Sequence, residues 1–430
     1  MKTLLVGGGA REHALAWRLA GDPAIGLLLA APGNPGIAEH ARCLAIAASD
    51  LDGLLRAAHE EAVDLVVVGP EAPLVAGLAD RLAAAGIPVC GPSAAAARLE
   101  GSKGFAKEFM LARSIPTAEA AVFTEAGAAQ AHVRAVGAPI VIKADGLAAG
   151  KGVVVAESES EALAAIDRMM RAGAFGDAGR RVLVERHMQG EEASLFLLTD
   201  GERYVVLPTA EDHKRLGDGD RGPNTGGMGA FAPSVVLDRP LLARALATIV
   251  EPTLAGLREL GTPYRGFLYV GLMIENGVPQ VVEYNARLGD PEAQAVLPLI
   301  GPGFGALVLA AARGALSAGA TLTPPAPADK AAACVVLAAP GYPESPRTGA
   351  PIRGLAAGGV RAAEDVLVFH AGTRRAGDEL VTAGGRVLGV TGVGEDLAGA
   401  LARAYRVADT IAFAGKQMRR DIGQKALARR

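Results

Sequence analysis

Short apolar runs, glycine turns and longer stretches of helical periodicity alternate along the first hundred residues. An unbroken apolar run makes Lys2–Val6 a buried strand, Gly7-Gly8-Gly9 a turn and Ala10–Ala20 a helix. Val63–Val68 reads as a second strand, followed by Gly69-Pro70 and a helix from Pro73 to Ala85. Ile87–Cys90 is another strand, after which Ser93 is placed to cap an Ala-rich helix. Strand, glycine turn and helix in repetition predict a doubly wound parallel sheet.

The pattern changes near Ile115-Pro116-Thr117. Strands at Pro139–Lys143 and Val153–Ala156 flank a glycine loop, a helix covers Glu159–Arg171 and a strand covers Arg181–Arg186, which is a small α+β unit. A third block has strands at Ser194–Leu198, Arg203–Leu207, Gly266–Ile274 and Gln280–Tyr284, with helices at Asp238–Leu260 and Phe304–Leu316. Thr323-Pro324-Pro325-Ala326-Pro327 reads as a linker, beyond which come a strand at Ala331–Leu337 and a hairpin around Gly384-Gly385. The chain shows no internal repeat.

Composition narrows the function. A chain of 430 residues, half of them hydrophobic and 21% charged, is a folded protein of several domains. Its net charge of −3 lacks the basic surplus of a nucleic-acid binder, and no apolar run of membrane-spanning length stands out. Cys43, Cys90 and Cys334 are widely separated and odd in number, which argues against a disulfide framework or a zinc site and for a reducing, cytoplasmic compartment. Arginines outnumber lysines 34 to 9, so lysines that persist in glycine-rich motifs are candidates for roles that arginine cannot fill.

Several stretches carry candidate chemistry. Gly7-Gly8-Gly9-Ala10-Arg11-Glu12 opens a helix, where backbone amides bind anions; a plain βα turn would read the same way. Gly69-Pro70-Glu71 ends a strand, where open α/β sheets bind ligands, and Glu71 is placed to take hydroxyls or an amine. Lys143 ends a buried strand, a costly position for a cation that meets no anion, and Gly146, Gly150, Lys151 and Gly152 follow in a loop suited to phosphates. Glu185 and Glu192 could meet adenine or ribose, although taken alone a solvated turn accounts for them better. Glu211-Asp212-His213-Lys214-Arg215 and Gly222–Ala230 read as one long functional loop. In Glu283-Tyr284-Asn285-Ala286-Arg287, strand alternation puts Glu283, Asn285 and Arg287 on one face, with Val282 and Tyr284 on the other. A carboxylate beside an amide oxygen suits Mg²⁺ or Mn²⁺, and Arg287 can grip a carboxylate or phosphate bidentately.

The stretches GGGAREHALAW, APGNPG, VGPEAPLVAGLAD, LEGSKGFAKEFM, IVIKADGLAAGKGV, QGEEAS, DHKRLGDGDRGPNTGGMGA, GFLYVGLM, EYNARLGDP, FHAGT and GGRVLGVT together resemble the ATP-grasp superfamily, and in their order the phosphoribosylamine–glycine ligase family. The likeness runs from residue 4 to about 391. It departs at Gly8, Met188 and Leu288, where Asn, Leu, and Phe or Met are expected.

The resemblance implies an N-terminal Rossmann-like domain (1–101), an ATP-grasp domain (102–323) with a mobile lid (118–188), and a small β-rich α+β C-terminal domain (327–430). It implies ATP and Mg²⁺ or Mn²⁺ as cofactors, small-molecule substrates only, no nucleic-acid or membrane partner, and a monomer. By resemblance Lys103, Lys143, Gly150, Lys151, Gly152, Glu185 and Glu192 bind ATP, and Glu283 and Asn285 hold the metal. Gly8, Gly9, Arg11, Glu12, Gly69, Pro70, Glu71, Asp212, Lys214, Gly226, Gly227 and Arg287 bind substrate, with Arg287, Lys151, Asp212 and Lys214 catalytic. Another ATP-grasp ligase or carboxylase would differ in VGPEAPL and DHKR…GGMGA; a nicotinamide oxidoreductase would need a third glycine where Glu12 stands; a non-catalytic nucleotide-binding module would lack the metal pair or Arg287.

Overall fold

A computed structural model describes residues 1–147, 152–322, 330–355, 361–363 and 365–429. Gly150, Lys151 and the proline-rich linker from residue 323 lie outside the described residues.

The N-terminal sheet contains β1 (Lys2–Gly7), β2 (Leu27–Pro32), β3 (Arg42–Cys43), β4 (Leu65–Val68) and β5 (Val89–Cys90), all parallel in the order β3-β2-β1-β4-β5. The order reverses beside β1, so the ends of β1 and β4 flank the crevice where such sheets bind ligands. Ser93 caps its helix by accepting from the Ala96 amide, as expected. The helix expected over 73–85 is two, Glu71–Val75 and Leu78–Ala84, because Gly77 adopts φ +89° between them.

The next unit is a four-stranded antiparallel sheet of β6 (Ala120–Phe123), β7 (Ile140–Ala144), β8 (Val153–Ala156) and β9 (Val182–Arg186), ordered β6-β9-β7-β8. It has its own core, in which Ile140, Ile142, Val182 and Val184 pack on helices Ala126–Val136 and Glu159–Ile166. At the end of β9, Arg186 forks onto Glu275 (3.0 and 2.8 Å), tying this unit to the strand that carries Glu275.

The chain continues through β10 (Glu191–Thr199), β11 (Tyr204–Val206), β12 (Glu211–Asp212), β13 (Arg215–Gly217), β14 (Arg221–Asn224), β15 (Gly229–Ala232), β16 (Gly266–Glu275) and β17 (Val278–Asn285). A four-stranded sheet runs β11-β10-β16-β17. The helix Arg239–Glu259 is long and apolar enough by composition to cross a membrane, but it lays Ala245, Ile249, Val250, Leu254 and Leu257 into the core against this sheet.

Two expectations are corrected here. Residues 211–232 are not one long loop: β13 and β14 form a hairpin, while β12 and β15 join a six-stranded sheet with β18 (Ala331–Ala338), β19 (Arg361–Ala363), β20 (Val366–His370) and β23 (Arg386–Gly394), ordered β12-β15-β18-β23-β20-β19. The hairpin expected around Gly384-Gly385 lies earlier, between β21 (Thr373–Ala376) and β22 (Glu379–Thr382). Gly384 and Gly385 instead carry the chain from one sheet to another. In both cases local turn signals were right about glycine but silent about which strands pair over long distance.

Candidate functional site

The two sheet ends and the C-terminal region enclose a cleft. One part has a volume of about 370 Å³ and a second part about 520 Å³; Lys143, Val153, Glu185, Asp212, Lys214, Val282 and Glu283 line both, so they are one continuous space. Arg11, Glu71, Lys103, Gly152, Gly226, Asn285 and Arg287 line the first part, and Glu192 lines the second. The sequence-derived residues from seven separate stretches thus meet in one place.

The lysines converge from different elements. Lys143, at the end of β7, is buried and reaches Glu185 Oε2 at 2.8 Å and the Val282 carbonyl at 3.1 Å. Glu185, on neighbouring β9, is not on a solvated turn: it is buried and also faces Lys107 Nζ at 3.4 Å. Burial opposes its ionisation, but Lys143 and Lys107 outweigh it and hold the carboxyl below its ordinary range. Lys103 begins a helix capped by Ser102 and donates to the Gly146 carbonyl at 3.1 Å; burial lowers its proton affinity. Asp145 accepts from Ser102 Oγ (3.0 Å) and the Gly104 amide (2.6 Å), fastening the start of the glycine loop to that helix.

At the metal-candidate strand the expected alternation is broken. Gly271 of β16 faces Glu283 while Leu272 faces Val281, so Val282 is the extra residue of a bulge. Val281 and Tyr284 therefore go to the core, and Val282, Glu283 and Asn285 line the cleft. β17 ends at Asn285, so Arg287 is not on the strand; the bend after it brings Arg287 back to the same cleft. Glu283 is kept ionised against burial by Lys214, Lys143 and Lys103. The buried Asn285 Nδ2 has no partner. That nitrogen is a donor and cannot ligate a cation; it is the ionised Glu283 carboxylate with the Asn285 amide oxygen that fits a hard divalent cation, although no set of three or more His, Cys, Asp or Glu able to hold a metal occurs among the described residues.

Arg287 is not free to grip a ligand with its whole fork. Its Nε meets Glu71 Oε2 at 3.2 Å and its Nη2 meets Glu100 Oε1 at 2.8 Å. Glu100 is buried, and its other oxygen accepts from the Ala286 amide at 2.6 Å, which fixes the bend that carries Arg287. Glu71 is the looser partner, with more than a quarter of its side chain exposed.

The glycine turn after β1 is built around Glu12. Its carboxylate accepts from the Gly9 amide (2.6 Å) and pairs with Arg11 Nε (2.5 Å). Gly7 has φ +124°, and a Cβ there would lie 2.5 Å from Glu12 Cγ; one at Gly69 would lie 2.2 Å from Glu12 Oε1. Glu12 therefore occupies the space under both turns; Arg11 lines the cleft, whereas Gly8, Gly9, Glu12, Gly69 and Pro70 are not among its lining residues. Gly227 (φ +111°) packs its Cα against Pro291.

Asp212 and Lys214 flank the junction of the two parts of the cleft. Lys214 Nζ bonds Glu192, and although burial opposes it, Glu192 and Asp212 hold the ammonium well above its ordinary range. Burial pushes the Asp212 carboxyl up to about 8, against the pull of Lys214.

Glu100, Lys107, Asp290, Arg386 and Tyr342 also serve the site and were not singled out from the sequence. Lys107 stands one helical turn after Lys103 in the same helix, which was an available signal; Glu100 belongs to the preceding helix, which ends at Gly101, so no helix spacing linked it to Lys103. Arg386 lay in the stretch GGRVLGVT without an assigned role, and Tyr342 had no signal, because only the tertiary fold brings them to the site.

The chain matches the descriptions "Phosphoribosylglycinamide synthetase, N domain" over residues 1–100, "ATP-grasp (A) domain" over 101–293 and "C domain" over 332–425. It is 50% identical to the phosphoribosylamine–glycine ligase of Agrobacterium fabrum over 429 residues, covering 100% of this chain and 99% of that protein. The Chlorobaculum tepidum ligase is also 50% identical, over 99% of this chain and 100% of its own. The crystal structure of the Thermotoga maritima phosphoribosylamine–glycine ligase superposes with a TM-score of 0.84 at 34% identity, covering 98% of this chain and 100% of that one. A Hydrogenobacter thermophilus biotin carboxylase domain shares the fold at a TM-score of 0.74 and 16% identity. The chain belongs to the phosphoribosylamine–glycine ligase family, the phosphoribosylglycinamide synthetases, within the ATP-grasp enzymes.

Proposed function

We propose that this chain joins glycine to 5-phosphoribosylamine in an ATP-dependent step of purine synthesis, by way of glycyl phosphate. The supporting observation is the convergence of Lys103, Lys143, Glu283, Asn285, Arg287 and Asp212 on a single cleft in a chain of this family.

The chemistry starts from a poor electrophile. A glycine carboxylate oxygen takes the γ-phosphoryl group of ATP and ADP departs. The acceptor amine then attacks the acyl carbon, phosphate leaves with the C–O bond pair, and the amine loses a proton. The protein's work is placement and charge neutralisation. Lys103 and Lys143 hold phosphates. Lys151, with Gly150 and Gly152, supplies the glycine loop. Residues 118–188 act as the lid of an ATP-grasp domain (102–323), between an N-terminal domain (1–101) and a C-terminal domain (327–430). Glu192 faces the ribose, and Glu185 sets the positions of the two buried lysines. Glu283 and Asn285 hold Mg²⁺ or Mn²⁺, which when bound neutralises charge on the phosphates. Arg287 neutralises charge on the transferring group, Glu71 meets the acceptor, and Asp212 with Lys214 sits where the amine proton is lost.

The test is product analysis with ATP, glycine and freshly formed phosphoribosylamine. ADP release should require all three and a divalent ion, with amide product in equal amount. Rapid ADP release with an unrelated acid in place of glycine would overturn the assignment.

A further inference from the structure

The C-terminal region reaches the cleft through two residues to which the proposed reaction gives no role. Gly226 stands at the cleft wall, and both of its backbone polar groups are held from that region: its N–H donates to Tyr342 Oη at 2.9 Å and its carbonyl accepts from Arg386 Nη1 at 2.5 Å. The same Nη1 donates to the Asp290 carbonyl at 2.5 Å, and Nη2 pairs with the Asp290 carboxylate at 3.3 Å. The two holders brace each other, since a Cβ at Gly385 would lie 2.3 Å from Tyr342 Cδ2. Asp290 in turn adjoins the first glycine turn: its Oδ2 lies 3.7 Å from where a Cβ of Gly9 would be.

Consecutive glycines such as Gly226 and Gly227 have wide conformational freedom unless tied down. Here the tie is made on one side by Pro291 and on the other by Tyr342 and Arg386. Arg386 lines the part of the cleft that Arg11 and Glu71 line, and it is absent from the second part, which Val141, Val155 and Glu192 line. We propose that Tyr342 and Arg386 are positioning residues that set the acceptor end of the cleft for a phosphorylated sugar amine, acting through Gly226 and Asp290. The proposal rests on the ligase reading above.

Steady-state kinetics of the full chain test it. Tyr342→Phe removes one hydroxyl and keeps the ring against Gly385. Arg386→Lys keeps the charge but cannot span two carbonyls and a carboxylate. The KM for phosphoribosylamine should rise roughly 3- to 10-fold in the first and roughly 10- to 100-fold in the second, the sizes of a neutral and a charge-assisted hydrogen bond, while the KM for ATP stays within about twofold. If Arg386→Lys fails to fold, Tyr342→Phe decides alone, its thermal midpoint serving as the folding control. An unchanged acceptor KM in Tyr342→Phe, or equal rises for ATP and acceptor, would overturn the proposal. A wild-type enzyme that makes no amide from glycine and phosphoribosylamine would instead sink the ligase reading.

Discussion

The two ends of the cleft handle charge differently. At one end Lys107 and Lys143 share a single carboxylate, Glu185, and Lys103 is bonded to a carbonyl oxygen. At the other, Arg11 pairs with Glu12, Arg287 with both Glu71 and Glu100, and Arg386 with Asp290. The lysine end carries a surplus of positive charge in a partly dehydrated wall, which suits a polyphosphate. The arginine end sets three guanidiniums against four carboxylates and has no such surplus, so under the proposed reaction it would select by the direction of its donors rather than by net attraction. Lysine serves as a compact point charge and arginine as a fixed fork, which matches this division.

The most damaging way to break the comparison is Lys143→Met. It should lower kcat/KM for ATP by roughly 10²–10³-fold, as removal of a preorganised charge does, and destabilise the fold by up to about 3–5 kcal/mol by leaving Glu185 to Lys107 alone. Adding Glu185→Gln to that variant should restore the thermal midpoint without restoring ATP affinity. If both recover together, the lysine end is structural.

Glu100→Gln probes the balanced end. The amide still accepts from Ala286 N–H but no longer holds Arg287 by charge, so kcat should fall roughly 10- to 100-fold with the KM for ATP within about twofold. Because Glu71 is the looser partner, Glu71→Gln should instead act on the acceptor KM. Matching kinetic signatures in the two variants would erase the distinction between anchor and exchangeable partner.

A smaller effect concerns the junction. With its folded value raised from 3.8 to about 8, Asp212 keeps a proton that the unfolded chain releases. Below pH ~4 both states hold that proton, and above ~8 neither does. Between them each step up in pH costs the ligand-free fold stability through this group. Urea unfolding from pH 5 to 9 should show Asp212→Asn gaining on wild type as pH rises. A constant difference would show that Asp212 is ionised throughout.

The smallest effect is expected at the exposed fork of Arg186 and Glu275. Glu275→Gln should change the KM for ATP by less than about threefold and leave the acceptor KM alone, since exposed pairs contribute little. A change in acceptor KM would mean that the two ends are coupled through the β6–β9 sheet.

What the sequence made legible follows from where its motifs sit. Lys143, Glu185 and Glu283 lie at or near strand ends, Lys103 opens a helix and Gly226 belongs to a glycine turn, all places where local patterning is strong, and they meet in the cleft. The bulge at Val282 was not legible, because an extra residue changes which side chains share a face without changing the residues themselves. Glu100 lay in a recognised stretch, but its helix was read only for its cap at Ser93, and the contact with Arg287 is made by the fold. The contacts that Arg386 and Tyr342 make with Gly226 span more than a hundred residues, which no local pattern encodes, even though Arg386 lay in a recognised stretch.

That long-range pairing has a consequence for how the chain is made. β15 lies between β12 and β18, and Ala232 aligns with Ala332. At ~5–20 residues per second on the ribosome, β15 waits roughly 5–20 s for its neighbour to be synthesised. Through that interval the segment Gly-Ala-Phe-Ala presents an unpaired apolar edge, the kind of surface that recruits other chains. The nascent polypeptide, rather than the finished enzyme, is therefore the form with the greater need of a chaperone.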